Sequence, residues 1–269
     1  GAQRITTELA LAWARLPVDA HPFTWRQRLT VARGFARYLA TLDPASEVPP
    51  TDLLPGHRPR LTPYIYSEQE ITALMAAARG LRPALRAARH ETLIGLLAVT
   101  GCRPGEALGL DRGDVDLDDG VMHVRAGKNN KQRQVPLHPS TISALRAYAG
   151  LRDAHFPTPS TPAFFLSARG RRMGREELNA TFIKLVRQIG LEGCGARARP
   201  RPHDLRHAFA VRTLLDWYRT GEDIDRRMPL LSTYLGHVDP ASTYWYLEAV
   251  PELLQLVGER MARLPGALS

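Results

Sequence analysis

A histidine and two tyrosines lie close together near the C-terminal end of the sequence. His237 follows a Leu-Gly pair, and Tyr244 and Tyr246 end the short polar run after it. A phenol stays protonated up to a pKa of about 10, so tyrosine is a poor nucleophile at neutral pH. If Tyr246 does chemistry, other residues must activate it and neutralise the group that it attacks.

Candidate helpers occur in three earlier segments of the chain. Arg103 lies at the start of a predicted short helix, with Glu106 one turn later. Lys128 lies in a predicted turn between two strands. His203 and Arg206 are three residues apart, which places both side chains on one face of a predicted helix.

This ordered set of motifs resembles the tyrosine recombinase (phage integrase) family. The matching strings are TGCRPGEALGL at 100–110, GKNNKQRQVPL at 127–137, PHDLRH at 202–207, and LGH at 235–237 followed by Tyr246. The resemblance covers residues 64–264. No single string is decisive, but the set in this order is highly specific.

The resemblance implies DNA strand cleavage without a metal ion or any other cofactor. Arg103 and Arg206 would each hold nonbridging oxygens of the attacked phosphate, as metal ions do in other phosphoryl-transfer enzymes. Tyr246 would attack the phosphorus and form a covalent 3′-phosphotyrosyl intermediate, which conserves the phosphodiester energy for rejoining. The implied function is site-specific DNA strand exchange for a mobile genetic element.

The remaining site residues take supporting roles in the same comparison. Lys128 is the expected general acid for the leaving 5′-hydroxyl, and His203 is expected to assist proton transfer from the tyrosine. His237 is expected to hydrogen-bond a phosphate oxygen. Glu106 is expected to orient Arg103 or a neighbouring donor rather than to touch DNA.

Each assignment competes with a simpler explanation. Arg103 and Glu106 could form an ordinary surface ion pair, worth only about 0.2–0.5 kcal/mol. His203 and His207 have a spacing found in zinc sites, but Asp replaces the Glu of the zinc motif and no third ligand is near. We therefore expect no metal, and we predict that His207 is a buried packing residue.

Two choices between neighbouring residues stay open. Lys131 lies in the same turn as Lys128, although the family pattern favours the lysine directly after the glycine of the turn. Tyr244 competes with Tyr246, although the spacing from the preceding histidine favours Tyr246. Whether the tyrosine attacks in its own protomer's site or in a partner's also stays open.

Hydrophobic periodicity predicts a mainly α-helical protein with a small antiparallel sheet, an α+β class. Helices are predicted over 5–16, 24–42, a segment capped by Ser67, 88–99, 139–151, 175–190, 203–218 and 251–264, and strands over 115–117, 121–124 and 134–137. Six prolines between positions 44 and 63 indicate a linker. The predicted domains are a helical core-binding domain that clamps DNA (1–46), the proline-rich linker (47–63) and a catalytic domain with a C-terminal helix (64–269).

The sequence departs from the family pattern in two places. Residues 1–43 are short for the family's four-helix core-binding domain, so a truncated or reduced domain is expected. The interval between Arg206 and His237 contains an extra polar stretch at 220–227. We predict an enlarged loop there.

The charge of the protein fits a polyanionic partner. The 36 Lys and Arg residues exceed the 27 Asp and Glu residues, which gives a formal net charge of +9. Arginine dominates this excess, and its planar fork matches phosphate, although an arginine-biased genome would give the same excess. The lysines are Lys128, Lys131 and Lys184.

The expected partners are double-stranded DNA and further copies of this chain, in a tetramer on DNA, and no membrane is expected. Cys102 and Cys194 are too few for a disulfide framework, which favours a reducing cytoplasm, at the nucleoid. The alternatives are a type IB topoisomerase, which shares the chemistry, and a non-catalytic DNA-binding protein on the same fold.

Overall fold

The structure is a computed structural model that describes residues 4–55, 63–125, 132–191 and 199–236, together with Thr243 and Tyr246. The chain forms two compact units, Gly1–Leu61 and Thr62–Ser269. The described residues are mainly helical with one small antiparallel sheet, which confirms the predicted fold class.

The first unit contains two helices, α1 (Thr7–Ala14) and α2 (Pro22–Ala40). The hydroxyl of Thr6 accepts a hydrogen bond from the backbone of the first turn of α1, and α2 begins on a proline, whose fixed φ suits a first helical position. Leu29 of α2 and Leu54 beyond it are buried in a small apolar core with α1.

The first part of the proline-rich segment packs on this unit. The buried guanidinium of Arg33 donates to the carbonyls of Pro49 (2.7 Å) and Pro50 (2.5 Å), and Leu54 is 3% exposed. Proline lacks an N–H but keeps a carbonyl, which a buried arginine can use. This differs from the expectation of an unpacked linker over 47–63; residues 56–62 lie outside the described ranges.

The second unit contains the remaining described elements. They are α3 (Glu68–Arg79), α4 (Ala84–Thr100), α5 (Pro104–Gly109), a 3₁₀ turn (Arg112–Asp114), β1 (Val115–Asp116), β2 (Val121–Val124), β3 (Arg133–Pro136), α6 (Pro139–His155), α7 (Arg175–Gln188), α8 (Asp204–Arg219) and α9 (Ile224–Leu235). Across the described ranges, no helix has both the length and the apolar character to span a membrane.

Helix α4 forms the centre of the core of the second unit, and its C-terminal end lies at the candidate active site described below. It buries residues on most of its faces and packs on α3, α6 and α8. Its C-cap, Gly101, has a φ of +59°, and a Cβ at this position would lie 2.5 Å from the ring of Phe209. Glycine is therefore required at this position, where α4 ends beside the candidate active site.

The sheet has the order β1-β2-β3, with both pairs antiparallel. Val124 pairs with Arg133 at the turn end of the β2–β3 hairpin. Residues two apart on a strand share one face, so Arg133 lies on the same face as the buried Val135. The turn at 126–131 lies outside the described residues.

The prediction of an enlarged loop at 220–227 is wrong in extent, because only residues 220–223 separate α8 from α9. Helix α9 begins at Ile224, because the side chain of Asp223 caps it by accepting from Arg226 N at 3.2 Å. Its apolar residues recur at helical spacing and bury against α8; they are Met228, Leu231 and Leu235. The helix predicted at 251–264 lies outside the described residues.

Candidate active site

Arg206 joins the ends of three helices. It lies in the first turn of α8, is 1% exposed, and donates to Gly101 O at 2.8 Å and to Leu235 O at 2.7 Å. These carbonyls belong to the C-terminal ends of α4 and α9, where the helix dipole favours a cation. Burial, reinforced by nearby Arg103, lowers the pKa of Arg206 to about 10, so the guanidinium stays charged at neutral pH.

Arg103 occupies the N-cap position of α5, two residues after Gly101, whose carbonyl accepts from Arg206. Its Nη2 donates to Gly236 O at 3.0 Å, and its Nη1 donates to Glu106 Oε1 at 2.8 Å. Its backbone N–H donates to Glu106 Oε2 at 2.8 Å. The side chain is 38% exposed, so part of the guanidinium faces solvent while the rest is held in place.

Glu106 holds two arginines rather than one. Arg133 of β3 donates to Glu106 through Nη2 at 2.7 Å and through Nη1 at 3.2 Å. Burial alone would raise the pKa of Glu106, but the hydrogen bonds from Arg133 and Arg103 outweigh it and lower the pKa to about 2. The Glu106 side chain is 5% exposed, which excludes an ordinary surface ion pair.

Sequence reasoning missed Arg133. The available signal was the strand alternation, which places Arg133 on the buried face with Val135, on the strand that directly follows the expected lysine turn. Gly236 completes this corner: its φ is +67°, and a Cβ there would lie 3.1 Å from Arg133 Nη1 and 3.6 Å from Arg103 Nη1. The corner therefore needs glycine for both conformation and space.

His203 lies at the N-cap position of α8, close to the arginines. Burial, with the positive charges of Arg206 and Arg103, lowers the pKa of His203 to about 4. Its imidazole is therefore neutral at pH 7. The ring packs edge-on against the ring of His207, with 5.0 Å between centroids.

Tyr246 is placed in the site of its own chain. Its ring is 2% exposed and belongs to the apolar cluster formed by α8 and α9. Against the larger lowering by burial, an electrostatic interaction with Tyr246 raises the pKa of Arg206. Tyr244 lies outside the described residues.

The prediction that His207 only packs is wrong. His207 Nδ1 lies 3.0 Å from the hydroxyl of Tyr246, a hydrogen-bond distance. His207 is one helical turn after His203 and the two rings are in contact, so both histidines lie on one face of α8. The four-residue spacing of His203 and His207, which places both on one helix face, was the signal in the sequence for this contact.

Three predicted residues lie outside the described ranges: Lys128, its rival Lys131, and His237. Their roles stay predictions. Within the described residues, no three His, Cys, Asp or Glu side chains are grouped so that they could hold a metal ion.

An arginine-lined cleft of about 550 Å³ opens beside Arg103 and His203. Arg175 at the start of α7 lies against Gly105, where a Cβ would approach its Nη2 to 2.3 Å. No carboxylate lines the cleft. Among the described residues, no acidic group lies within ion-pair distance of its three further arginines, which are Arg175, Arg199 and Arg201.

The site therefore combines a phenol with an excess of fixed positive charge. Glu106 is the one described carboxylate that pairs with Arg103 and Arg133, and Arg206 is held by neutral carbonyls alone. Such a cluster suits a phosphate whose negative charge grows in the transition state. A fold and site of this kind define an enzyme that breaks and rejoins phosphodiesters through a tyrosine.

The chain belongs to the phage integrase family, whose model matches residues 65–252. It is 45% identical over 265 residues to the Sinorhizobium fredii protein y4rB, which is named as an integrase/recombinase, and the match covers 96% of this chain and 84% of that one. It is 34% identical to the tyrosine recombinase XerD of Mycobacterium tuberculosis, over 81% of this chain and 67% of that one. The predicted site-specific tyrosine recombinase is thereby confirmed.

Solved structures have the same fold. The crystal structure of XerA recombinase is 25% identical with a TM-score of 0.60, and the match covers 97% of this chain and 84% of that one. A post-cleavage complex of XerH recombinase with a palindromic difH substrate has a TM-score of 0.72 at 19% identity, over 96% of this chain and 73% of that one. The second likeness concerns the fold alone.

Proposed function

We propose that this protein recombines double-stranded DNA at a defined site for a mobile genetic element, in the cytoplasm at the nucleoid. Four protomers would act together on two sites, each cutting with its own tyrosine. The observation that carries the proposal is the contact of the Tyr246 phenol with His207 of the same chain, one residue after the buried Arg206. The integrase/recombinase name of a relative 45% identical supports the mobile-element role.

Each predicted site residue has a part in the proposed reaction. Arg103 and Arg206 hold the nonbridging oxygens, and Tyr246 attacks the phosphorus. The leaving 5′-oxygen takes a proton from Lys128, and His237 donates to a phosphate oxygen. His203 acts on the phenol indirectly, because its ring packs on His207 and His207 contacts the hydroxyl.

Glu106 is proposed as the residue that keeps the two arginines in place. It fixes Arg103 and Arg133 through both carboxylate oxygens, so the guanidiniums need no reorientation when a phosphate arrives. Preorganised donors of this kind give the largest contribution to transition-state stabilisation in many enzymes.

The arginine cleft supports a path for the DNA strand beside the cleaved phosphate. Besides Arg103, which pairs with Glu106, the cleft has three arginines with no ion pair to a described carboxylate, and arginine matches phosphate oxygens in a bidentate manner. The cleft begins at Arg103, so a strand held there would continue directly from the reacting phosphate. We propose that Arg175, Arg199 and Arg201 bind phosphates next to the one that is cut.

Replacing the three cleft arginines with alanine is expected to weaken DNA binding and to reduce its dependence on salt. Each phosphate contact contributes about 0.9 to the slope of log K against log salt, so the slope should fall by about 2 to 3. Fluorescence anisotropy with duplex DNA between low and physiological salt measures it. Arg146→Ala is the matched control, because Arg146 is an exposed arginine paired with Asp118; an unchanged slope in the triple variant would contradict the proposed path.

Recovery of recombinant junctions tests the proposed function against its alternatives. Two plasmids, each with a candidate site from the ends of the element, are incubated with the protein and the junctions are sequenced. A recombinase gives exchanged junctions at one position that disappear when the site is scrambled. Relaxation of any supercoiled plasmid without junctions indicates topoisomerase activity, and the absence of any covalent adduct indicates a non-catalytic binding protein; either result would overturn the proposal.

A further inference from the structure

The phenol of the nucleophile has a close histidine partner that the expected roles leave unused. His207 Nδ1 lies 3.0 Å from the Tyr246 hydroxyl, and both side chains are largely buried, at 17% and 2% exposed. A buried phenol must give up its proton to become a nucleophile, and water has little access to it there. A group within hydrogen-bond distance of that proton is the natural acceptor.

A carboxylate lies on the far side of the His207 ring. Asp204 Oδ1 is 4.0 Å from His207 Nε2, an ion-pair distance rather than a hydrogen bond. The other oxygen of Asp204 accepts from the backbone N–H of Arg201 at 2.8 Å, which fixes the carboxylate. A carboxylate on the Nε2 side favours the tautomer with its proton on Nε2, and in that tautomer Nδ1 carries the lone pair that accepts from the phenol.

His203, the histidine first expected to assist this step, has the opposite surroundings. Arg206 and Arg103 lie close to it, and burial together with these cations lowers its pKa to about 4. An imidazole among cations resists a second proton, whereas an imidazole beside a carboxylate is stabilised as imidazolium. The two histidines of α8 therefore have opposite charged neighbours, cations at His203 and a carboxylate at His207.

We propose that His207 is the catalytic base for Tyr246 and that Asp204 is its positioning residue. The inference rests on the proposed function of the site. As the phenol oxygen bonds to phosphorus, its proton moves to His207 Nδ1, the P–O5′ bond breaks, and the 5′-oxygen takes a proton from the Lys128 ammonium. In rejoining, the 5′-hydroxyl gives its proton back to the Lys128 amine as its oxygen bonds to phosphorus, the bond between phosphorus and the Tyr246 oxygen breaks, and His207 returns the proton to the phenol.

Single-turnover cleavage of a nicked suicide substrate tests this role. His207→Asn keeps a hydrogen-bond acceptor near the phenol but has no proton affinity, and it is expected to slow cleavage about 100-fold, as loss of a general base does. If His207 only positioned the tyrosine, the asparagine variant would cleave at close to the wild-type rate. DNA binding, measured in the same samples, is expected to stay unchanged.

Lowering the pKa of the phenol at position 246 gives a second readout. Fluorinated tyrosine at position 246 loses its proton more readily, so it is expected to restore cleavage at least about tenfold in His207→Asn. The same replacement is expected to give no such gain in His203→Asn. Asp204→Asn is expected to slow cleavage less than His207→Asn, and fluorination is expected to reduce its deficit as well.

A substrate with a sulfur leaving group separates the base from the acid. A 5′-thiol leaves without a proton, so this substrate is expected to rescue Lys128→Ala and to give no rescue of His207→Asn. Wild-type rates in His207→Asn, or fluorine rescue of His203→Asn instead, would overturn the inference while the recombinase function stands. Failure of the wild-type protein to form any adduct would instead overturn the proposed function.

Discussion

Replacing Tyr246 with phenylalanine is expected to abolish covalent capture of DNA. Removal of the nucleophile from a covalent mechanism can lower the rate by about 10⁶-fold. Phenylalanine keeps the packing of the buried ring but loses the hydrogen bond to His207, which costs about 1 kcal/mol. The fold and DNA binding should therefore survive. Adduct on a nicked suicide substrate, resolved on a denaturing gel with chelator present, measures the effect.

Tyr234→Phe is the matched control for this variant. Tyr234 is a second phenol near the site, it stacks on Phe209 at 5.6 Å between centroids, and burial raises its pKa to about 12. Its removal is expected to leave adduct formation at the wild-type level, and Tyr244→Phe should behave in the same way. Adduct formation by Tyr246→Phe, or its loss in Tyr244→Phe alone, would contradict the assignment.

Replacing Arg206 with alanine is expected to lower both activity and stability. Loss of one donor to the transition-state charge lowers cleavage by about 10²–10³-fold. In addition, the carbonyls of Gly101 and Leu235 lose their buried donors, and each unsatisfied carbonyl costs about 1–3 kcal/mol. Single-turnover cleavage and urea unfolding, monitored on the same preparations, measure the two losses.

Arg103→Ala separates the catalytic effect from the structural one. The Arg103 side chain is 38% exposed, and Glu106 keeps its two hydrogen bonds from Arg133 when Arg103 is removed. Cleavage is expected to fall as far as in Arg206→Ala, while the free energy of unfolding changes by about 1 kcal/mol or less. Equal stability losses in both variants, or normal cleavage in either, would contradict the roles derived from the geometry.

The fold was predictable where local signals agree with packing. The Ser67–Glu70 capping box correctly marked the start of α3, and alternating residues marked the strands. The polar run at 220–227 gave a misleading signal, because the cap of α9 is itself polar. The prolines near residue 49 also misled, since their carbonyls serve a buried arginine that lies sixteen residues earlier in the chain. Such long-range use of backbone groups leaves no local pattern.

The site was predictable as a set of residue types but not as a network. Motif order brought Arg103, Arg206 and Tyr246 together, as the structure also does. Arg133 was missed because its partner Glu106 is 27 residues away, on another element. His207 was misjudged for a similar reason, since its partner Tyr246 is 39 residues away. Both contacts depend on how α5, α8 and β3 pack, which spacing along the chain does not encode.

The arrangement of charge explains why so many cations can be buried near one another. Among the described residues no carboxylate pairs with Arg206, which is held by helix C-terminal carbonyls, and Glu106 is shared between Arg103 and Arg133. A buried cluster with more cations than anions is unfavourable until an anion arrives. The folded site therefore favours the binding of a phosphate group, whose negative charge offsets the excess of cations.

Mass spectrometry of the trapped adduct is the most direct test of which residue attacks the DNA. The wild-type protein is reacted with a nicked suicide substrate, digested with nuclease and protease, and searched for a peptide that carries a nucleotide. We expect the modification on the phenol of Tyr246, through a 3′-phosphate. A nucleotide on Tyr244 or on any serine, or attachment through a 5′-phosphate, would contradict it.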